Sequence, residues 1–178
     1  MKRLAVLLSV IFIFSAASIL PAQERAAPCP SCSVYFSPNE GCTDAIVREL
    51  DNARSSILMQ AYSFTSAPIA KALLSAHKRG VRVEVILDKS QLTEKYSSVK
   101  FLYNSGVPTR IDAAHAIAHN KVMVIDGGTV ITGSFNFTKA AEEKNAENLL
   151  VIRDKALAGK YAKNWQEHSK HSELYSGR

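Results

Sequence analysis

The chain has 178 residues, 47% of them hydrophobic, and a formal net charge of +6. Its length suits one domain with a sizeable core, and the lack of an internal repeat or a low-complexity linker excludes a repeat array or a second domain. The excess of Lys and Arg over Asp and Glu fits a polyanionic partner, since these side chains neutralise phosphates. A mildly basic surface that contacts only solvent would explain the same net charge.

The first 22 residues have the pattern of a secretory signal. A basic start precedes an almost unbroken apolar run from Leu4 to Phe14, and small residues continue to Ala22. That run is shorter than the ~20 residues of a bilayer span, so a removed leader is favoured over an uncleaved anchor. We expect residues 1–22 to be a signal peptide, residues 23–178 to be a single domain, and the mature protein to be periplasmic or secreted. The exact cleavage position stays open.

Three cysteines follow near the start of the expected mature chain: Cys29, Cys32 and Cys42. In an oxidising compartment at least one disulfide is expected, with its pairing unknown. Cys29 and Cys32 have the spacing of a redox or half-zinc motif. No second pair of metal ligands completes such a site, and no strand–helix context is thioredoxin-like. A structural disulfide is therefore favoured over redox catalysis or metal binding.

Strands and helices alternate in the first half of the chain. A β-rich run predicts a strand at 33–36, and helical periodicity predicts a helix from Thr43. A buried strand is predicted at 55–63, followed by a helix that begins near Thr65 and stops at Gly80. Strict alternation over 81–87 predicts the clearest strand. This order predicts parallel strands flanked by helices.

The second half adds a hairpin and further strands. The pattern predicts a short helix that contains 99–103 and ends at Gly106, then a strand at 107–111 and a loop at 113–118. A hairpin of Lys121–Ile125 and Thr129–Thr132, turned at Gly127-Gly128, is predicted next. It is followed by a helical or irregular segment at 139–144, a strand at 149–153 and a final helix from Asp154. The chain after His171 is expected to be frayed. We therefore expect an α/β sandwich with a mixed, largely parallel central sheet.

Four polar side chains are placed at the ends of the two hairpin runs. His119 and Lys121 are two residues apart, and Ser134 and Asn136 repeat that spacing, so each pair projects from one face of an extended chain. If the runs pair, an imidazole, an ammonium, a hydroxyl and an amide converge. This set suits a tetrahedral phosphate, with the imidazole attacking or carrying a proton. Gly133 would let the backbone approach closely.

These residues form one complete pattern: His119-x-Lys121-x4-Asp126-x6-Gly133-Ser134-x-Asn136. The pattern resembles the HKD motif of the phospholipase D superfamily. The segments 62–65, 133–142 and 145–148 also resemble the small secreted bacterial nucleases of that superfamily, which carry one motif per chain. The similarity covers nearly the whole expected mature chain. Asp126 is the motif's third letter, but it is also a turn former beside Gly127, and a mainly structural role is expected for it.

The resemblance implies a phosphodiesterase that uses neither a metal nor another cofactor. In the family, a motif histidine attacks phosphorus to form a phosphohistidine, a second histidine protonates the leaving oxygen, and water resolves the intermediate. Carried over, His119 is the nucleophile in one copy and the general acid in the other. Lys121, Ser134 and Asn136 would bind the phosphoryl oxygens. Glu147 would hydrogen-bond a histidine and fix its tautomer.

The number of motifs bears on the assembly. The implied reaction needs two histidines, and this chain has one HKD motif. We therefore expect a homodimer with both His119 residues in one cleft at the two-fold interface.

Three functions fit the sequence. The first is a metal-independent endonuclease of low sequence specificity on DNA or RNA. The second is a phospholipase D acting on phosphatidyl head groups or cardiolipin, which is less expected because no exposed amphipathic stretch indicates membrane binding. The third is a non-catalytic nucleic-acid-binding envelope protein, which would not need a reactive histidine. Lys139 and Lys144 either line a phosphate track or form a solvated face.

The remaining histidines are expected to have no chemical role. His115 and His119 are four residues apart, the spacing of a zinc pair on a helix, but their small neighbours favour a loop, and no metal site is expected. His168 and His171 lie near the expected frayed end.

Overall fold

The structure is a computed structural model that describes residues 31–177. The expected signal peptide and Cys29 lie outside the described residues. The strands are β1 (Ser31–Ser37), β2 (Ser56–Ala61), β3 (Arg82–Asp88), β4 (Thr109–Asp112), β5 (Lys121–Ile125), β6 (Thr129–Gly133), β7 (Glu147–Arg153) and β8 (Glu173–Leu174). The helices are α1 (Cys42–Asn52), α2 (Ala67–Lys78), α3 (Val99–Asn104), α4 (Lys139–Glu143) and α5 (Lys155–His171), with a 3₁₀ turn at Lys89–Leu92.

These strands form one sheet in the order β1-β7-β6-β5-β2-β3-β4-β8. Only the pairs β2–β3 and β3–β4 are parallel, and every other neighbouring pair is antiparallel. The α/β class and the mixed sheet are confirmed, but the prediction of a largely parallel sheet is wrong. β2, β3 and β4 are joined by helical connections and lie side by side, so they pair in parallel. α1 also connects β1 to β2, but these two strands are not neighbours in the sheet. β5 and β6 form a hairpin, and β7 returns to pair antiparallel with both β6 and β1.

Two apolar layers cover the two faces of the sheet. Successive side chains of β5 point to opposite faces of the sheet. Met123 and Ile125 pack in the larger core beneath α1 and α2, whereas Val122 and Val124 pack in the core beneath α5. Trp165 of α5 is buried, and its indole Nε1 donates to the carbonyl of Met59 at 3.0 Å. The fold is therefore an α/β/α sandwich. No helix in residues 31–177 has the length and apolarity needed to cross a bilayer.

The C-terminal end is ordered, contrary to the expectation of fraying. α5 continues to His171, and β8 then pairs antiparallel with β4, with Arg110 opposite Leu174. The backbone N–H of Tyr175 donates to the carbonyl of Thr109 at 2.9 Å. A strand of two residues has no periodicity to detect, so only its tertiary partner reveals it.

The expected disulfide does not join the two described cysteines. Cys32 on β1 is exposed and Cys42 at the start of α1 is buried, and both are free thiols. Burial raises the pKa of the Cys42 thiol to about 11, and nearby carboxylates add to the effect. Cys42 is therefore a packing residue and not a reactive thiolate at neutral pH.

Asp126 closes the β5–β6 hairpin against the start of β2. Its backbone and that of Gly127 are left-handed, with φ of 52° and 60°. Its carboxylate accepts hydrogen bonds from the backbone N–H groups of Arg54 (3.0 Å), Ser55 (2.8 Å) and Ser56 (3.0 Å), and from the Ser55 hydroxyl. Burial acts to raise the pKa of Asp126, but these hydrogen bonds outweigh it and lower the pKa below its usual value. Such contacts support the structural role expected for this residue.

Asp126→Asn tests that role. Asn tolerates the left-handed turn but is a weaker acceptor, so we expect the free energy of unfolding to fall by about 1–2 kcal/mol at neutral pH. The folded-state pKa of Asp126 lies below 3.8, so the carboxylate stabilises the fold above that pH and loses its effect as pH falls through the folded-state pKa. Urea unfolding of both proteins at about pH 7 and about pH 3 measures the difference. A difference in the free energy of unfolding that is as large at about pH 3 as at about pH 7 would contradict this role.

Candidate active site

The residues of the HKD pattern meet at one end of the sheet. β5 and β7 begin there and β6 ends there, beside the carboxyl ends of the parallel strands β2, β3 and β4. In open α/β sheets, this end is where ligands bind, because loops rather than regular backbone line it.

His119 and Lys121 differ sharply in exposure. His119 lies in the loop just before β5 and is exposed, whereas Lys121 is the first residue of β5 and is 7% exposed. The Lys121 ammonium donates to the backbone carbonyl of His119 at 3.0 Å. Burial lowers the pKa of Lys121, and the negative charge of Glu147 opposes that shift. A poorly solvated cation beside an exposed imidazole is suited to holding a phosphoryl oxygen next to a nucleophile.

Ser134 and Asn136 lie on the segment that follows β6. The Ser134 hydroxyl accepts from the backbone N–H of Asn148 at 3.1 Å and from its side-chain amide at 3.3 Å. The flanking Phe135 and Phe137 are fully buried and anchor the segment. Within the described residues, the Asn136 amide oxygen is buried without a hydrogen-bond partner. Nδ2 of the same amide is the group able to donate to a phosphoryl oxygen.

Gly133 brings β6 unusually close to β7. Its φ is +148°, and a Cβ added to it would lie 2.3 Å from the carbonyl oxygen of Asn148. That oxygen accepts from the backbone N–H groups of Ser134 and Phe135, both at 3.1 Å. The close approach expected of Gly133 is therefore present, and it positions Ser134 against the start of β7.

Glu147 is the first residue of β7 and is partly buried. Its Oε1 accepts from the side-chain amide of Asn145 at 3.1 Å. Residues 31–177 contain no hydrogen bond from Glu147 to a histidine, so its predicted role in orienting one stays a prediction. Its charge does act on Lys121, which places the carboxylate near the site.

Tyr62 is a site residue that the motif did not identify. It follows β2, and its ring centroid lies 4.6 Å from that of His119 and 5.1 Å from the Lys121 ammonium. Its backbone N–H donates to the carbonyl of Asn120 at 2.8 Å, which holds the loop of His119 against β2. The sequence indicated Tyr62 only as part of residues 62–65, which resemble the family, and assigned it no role. Its contact with the motif depends on the pairing of β2 with β5, which local sequence does not show.

A second polar cluster lies at the same end of the sheet, on the face covered by α5. Nitrogen atoms of His168, His115 and His171 lie 2.7, 3.2 and 3.3 Å from the carboxylate oxygens of Asp112. Burial acts to raise the pKa of Asp112, but the hydrogen bonds from the three histidines outweigh it and hold the pKa at about 2. The expectation that His168 and His171 lie idle at a frayed end is therefore wrong. His115 faces Asp112 and forms no pair with His119.

The fold and the motif geometry agree with a comparison to known sequences. The family described as "Cardiolipin synthase, PLD-like domain" matches residues 46–169. The chain belongs to the phospholipase D superfamily. Members of the phospholipase D superfamily are phosphodiester hydrolases, and this chain carries a complete HKD pattern at the end of the sheet.

Individual relatives within the phospholipase D superfamily agree with this assignment. Phospholipase D of Rickettsia felis (strain ATCC VR-1525 / URRWXCal2) is 47% identical over 133 residues, which are 75% of this chain and 66% of that protein. This chain thus spans just under two thirds of the length of that relative. Mitochondrial cardiolipin hydrolase of Xenopus laevis is 32% identical over 146 residues, which are 80% of this chain and 70% of that protein. The crystal structure of Nuc, a phospholipase D family member from Salmonella typhimurium, has a TM-score of 0.80 and 42% identity, covering 83% of this chain and 99% of Nuc.

Proposed function

We propose that this protein is a metal-independent phosphodiesterase that cuts DNA, or RNA, as an endonuclease of low sequence specificity. One observation carries the proposal: the exposed imidazole of His119 and the poorly solvated ammonium of Lys121 both lie against the ring of Tyr62 at the open end of the sheet. An exposed nucleophile is accessible to a polymer that does not fit into a closed pocket. The leader pattern of residues 1–22 supports a periplasmic or secreted location as part of the proposal.

The chemistry proceeds in two displacements. The neutral imidazole of one His119 attacks phosphorus, the bond to the leaving oxygen breaks, and that oxygen takes a proton from the second His119. A water molecule then gives its proton to the second histidine and attacks the phosphohistidine, which frees the first imidazole and leaves a terminal phosphate. Lys121 and Asn136 stabilise the charge that accumulates on the phosphoryl oxygens in both steps.

The second histidine comes from a second copy of the chain in this proposal. Each chain supplies one HKD set, and a two-fold homodimer places both His119 imidazoles in one cleft. The surface around His119 supports such a contact, because Ile117, two residues earlier, is a large apolar side chain that is 56% exposed. Glu147 would orient a histidine in the assembled cleft.

The nature of the substrate rests on charge. The excess of basic over acidic residues, which persists without residues 1–22, favours a polyanion, and Lys139 and Lys144 are exposed on and after α4, downstream of Asn136. Lys139 pairs with Glu143 at 3.5 Å, so Lys144 is the freer of the two cations to bind a phosphate backbone. The names of two relatives, Phospholipase D and Mitochondrial cardiolipin hydrolase, support lipid hydrolysis as the second candidate. A purely binding role would leave the intact reactive set unexplained.

A comparison of substrates in excess EDTA tests the proposal. We expect the purified protein to convert closed circular plasmid DNA to open and linear forms, because only an internal cut opens a circle. RNA, phosphatidylcholine vesicles and cardiolipin vesicles are assayed in parallel under the same conditions. Complete loss of cleavage on adding EDTA would contradict the metal-independent chemistry. Release of lipid head groups with intact plasmid would replace the endonuclease by the lipid hydrolase.

A further inference from the structure

Three elements converge on the side chain of Asp112. This residue ends β4 and is fully buried, His115 comes from the loop that follows, and His168 and His171 lie on the last turn of α5. The three imidazole rings surround the carboxylate with centroids 4.9 to 5.2 Å apart. One nitrogen from each ring and one oxygen of the carboxylate all lie within 4.8 Å of one another.

We propose that Asp112, His115, His168 and His171 bind a zinc ion that stabilises the fold. Three imidazoles and one carboxylate form a donor set that zinc takes in a tetrahedral arrangement. Zinc bonds of 2.0–2.1 Å to such ligands place neighbouring donor atoms about 3.3 Å apart. His171 Nε2 lies 3.3 Å from Oδ2 of Asp112, a separation that already has that value. His168 Nδ1 is 2.7 Å from the same oxygen, and this separation would open by about half an ångström. His115 Nδ1 lies 3.2 Å from the other carboxylate oxygen, Oδ1, and the donor atom that His115 offers lies within 4.8 Å of those of the other three residues.

The surroundings of the cluster favour a bound cation. Asp112 supplies a buried negative charge, and the carboxyl end of α5 adds the partial negative charge of its free carbonyl groups. The Asp112 carboxylate is fixed by the backbone N–H of Ala114 at 3.1 Å, so this ligand is oriented before an ion arrives. The His115 and His171 side chains are 46% and 37% exposed, which gives an ion a path from solvent.

The ion would fix the loop that leads to His119. Besides the contact of Tyr62 with Asn120, two hydrogen bonds hold that loop: Lys89 donates to the carbonyl of His115 at 2.8 Å, and Asp88 accepts from the backbone N–H of Ala118 at 2.7 Å. Zinc on His115 would add a further attachment and connect the loop rigidly to α5. The proposed cleavage takes no step at this ion, so cleavage in EDTA at moderate temperature is compatible with it.

Zinc binding to the full chain tests this inference without an activity assay. Protein stripped with EDTA and dialysed is titrated with ZnSO₄, and we expect one zinc per chain by elemental analysis and a rise in Tm of about 5 °C or more. Co²⁺ in place of zinc should give the intense visible absorption of a tetrahedral site. The His115→Ala/His171→Ala double variant replaces the two most exposed ligands, which leaves the packing of the buried pair intact, and should lose the stoichiometric zinc and the rise in Tm.

Two single variants control for other histidines. His77→Ala removes a partly buried imidazole on α2, and His119→Ala removes the exposed imidazole of the candidate active site. Both should keep one zinc per chain and the full rise in Tm. Zinc bound equally by the double variant, zinc lost only in His119→Ala, or no zinc bound by the parent chain would each overturn the inference. In the last case, the cluster is a hydrogen-bonded contact only.

Discussion

His119→Ala is expected to lower the rate of phosphodiester cleavage by at least about 10³-fold, since it removes both the nucleophile and the general acid of the proposed reaction. The imidazole is exposed and makes no hydrogen bond within the described residues, and its ring contact is with Tyr62. Its loss should therefore leave Tm within about 1 °C of the parent value. Initial rates on plasmid DNA together with thermal unfolding measure both effects. Retained cleavage in a folded variant would reject His119 as the nucleophile.

The same variant tests the shared cleft. When parent chains and His119→Ala chains exchange subunits at equal concentration, only the dimers with two intact histidines should cleave. The reference is parent protein at the same total chain concentration. Random pairing then leaves about one quarter of that activity, whereas independent single-chain sites leave about one half. Light scattering on the same samples gives the assembly state. Activity near one half, or an active monomer, would contradict the two-fold site while leaving the role of His119 untouched.

Gly133→Ala is expected to damage both stability and the site. The new Cβ would lie 2.3 Å from the backbone carbonyl oxygen of Asn148, and backbone cannot move aside as the end of a flexible side chain can. We expect the free energy of unfolding to fall by about 2–4 kcal/mol. Separation of β6 from β7 would also displace Ser134, whose N–H and hydroxyl both bind Asn148. Cleavage should therefore fall even under conditions in which the variant stays folded.

Gly159→Ala is the matched control for that substitution. Gly159 lies within α5, is exposed, and a Cβ there would meet nothing within 4 Å. Because Ala is the better helix former, this variant should be more stable by up to about 1 kcal/mol, with unchanged cleavage. Denaturant midpoints of the parent and both variants measure the contrast. Equal midpoints for Gly133→Ala and the parent would show that β6 and β7 accommodate a side chain at this position.

Local patterns predicted most elements because their burial is periodic. Alternation over residues 81–87 corresponds to β3, and the predicted hairpin of Lys121–Ile125 with Thr129–Thr132 is present, its second strand ending one residue later at Gly133. The turn contains Asp126 as well as the two glycines. The Asp126 carboxylate binds the start of β2, and local sequence does not reveal this contact. The direction of the strands was predicted less well. Parallel pairing arises where a helical connection joins two neighbouring strands, and within the described residues only β2, β3 and β4 meet that condition. The helix α1 joins β1 to β2, which lie far apart in the sheet.

By itself, the sequence determined the α/β class, the HKD pattern and the superfamily, because spacing along the chain is enough to specify them. Tertiary structure decided what surrounds His119. The pairing of β5 with β2 places Tyr62 against the imidazole, and the burial at that edge lowers the pKa of Lys121. It also brought His168 to Asp112, 56 residues away in the chain. Contacts between distant segments depend on how sheet and helix pack, and no local spacing encodes that packing.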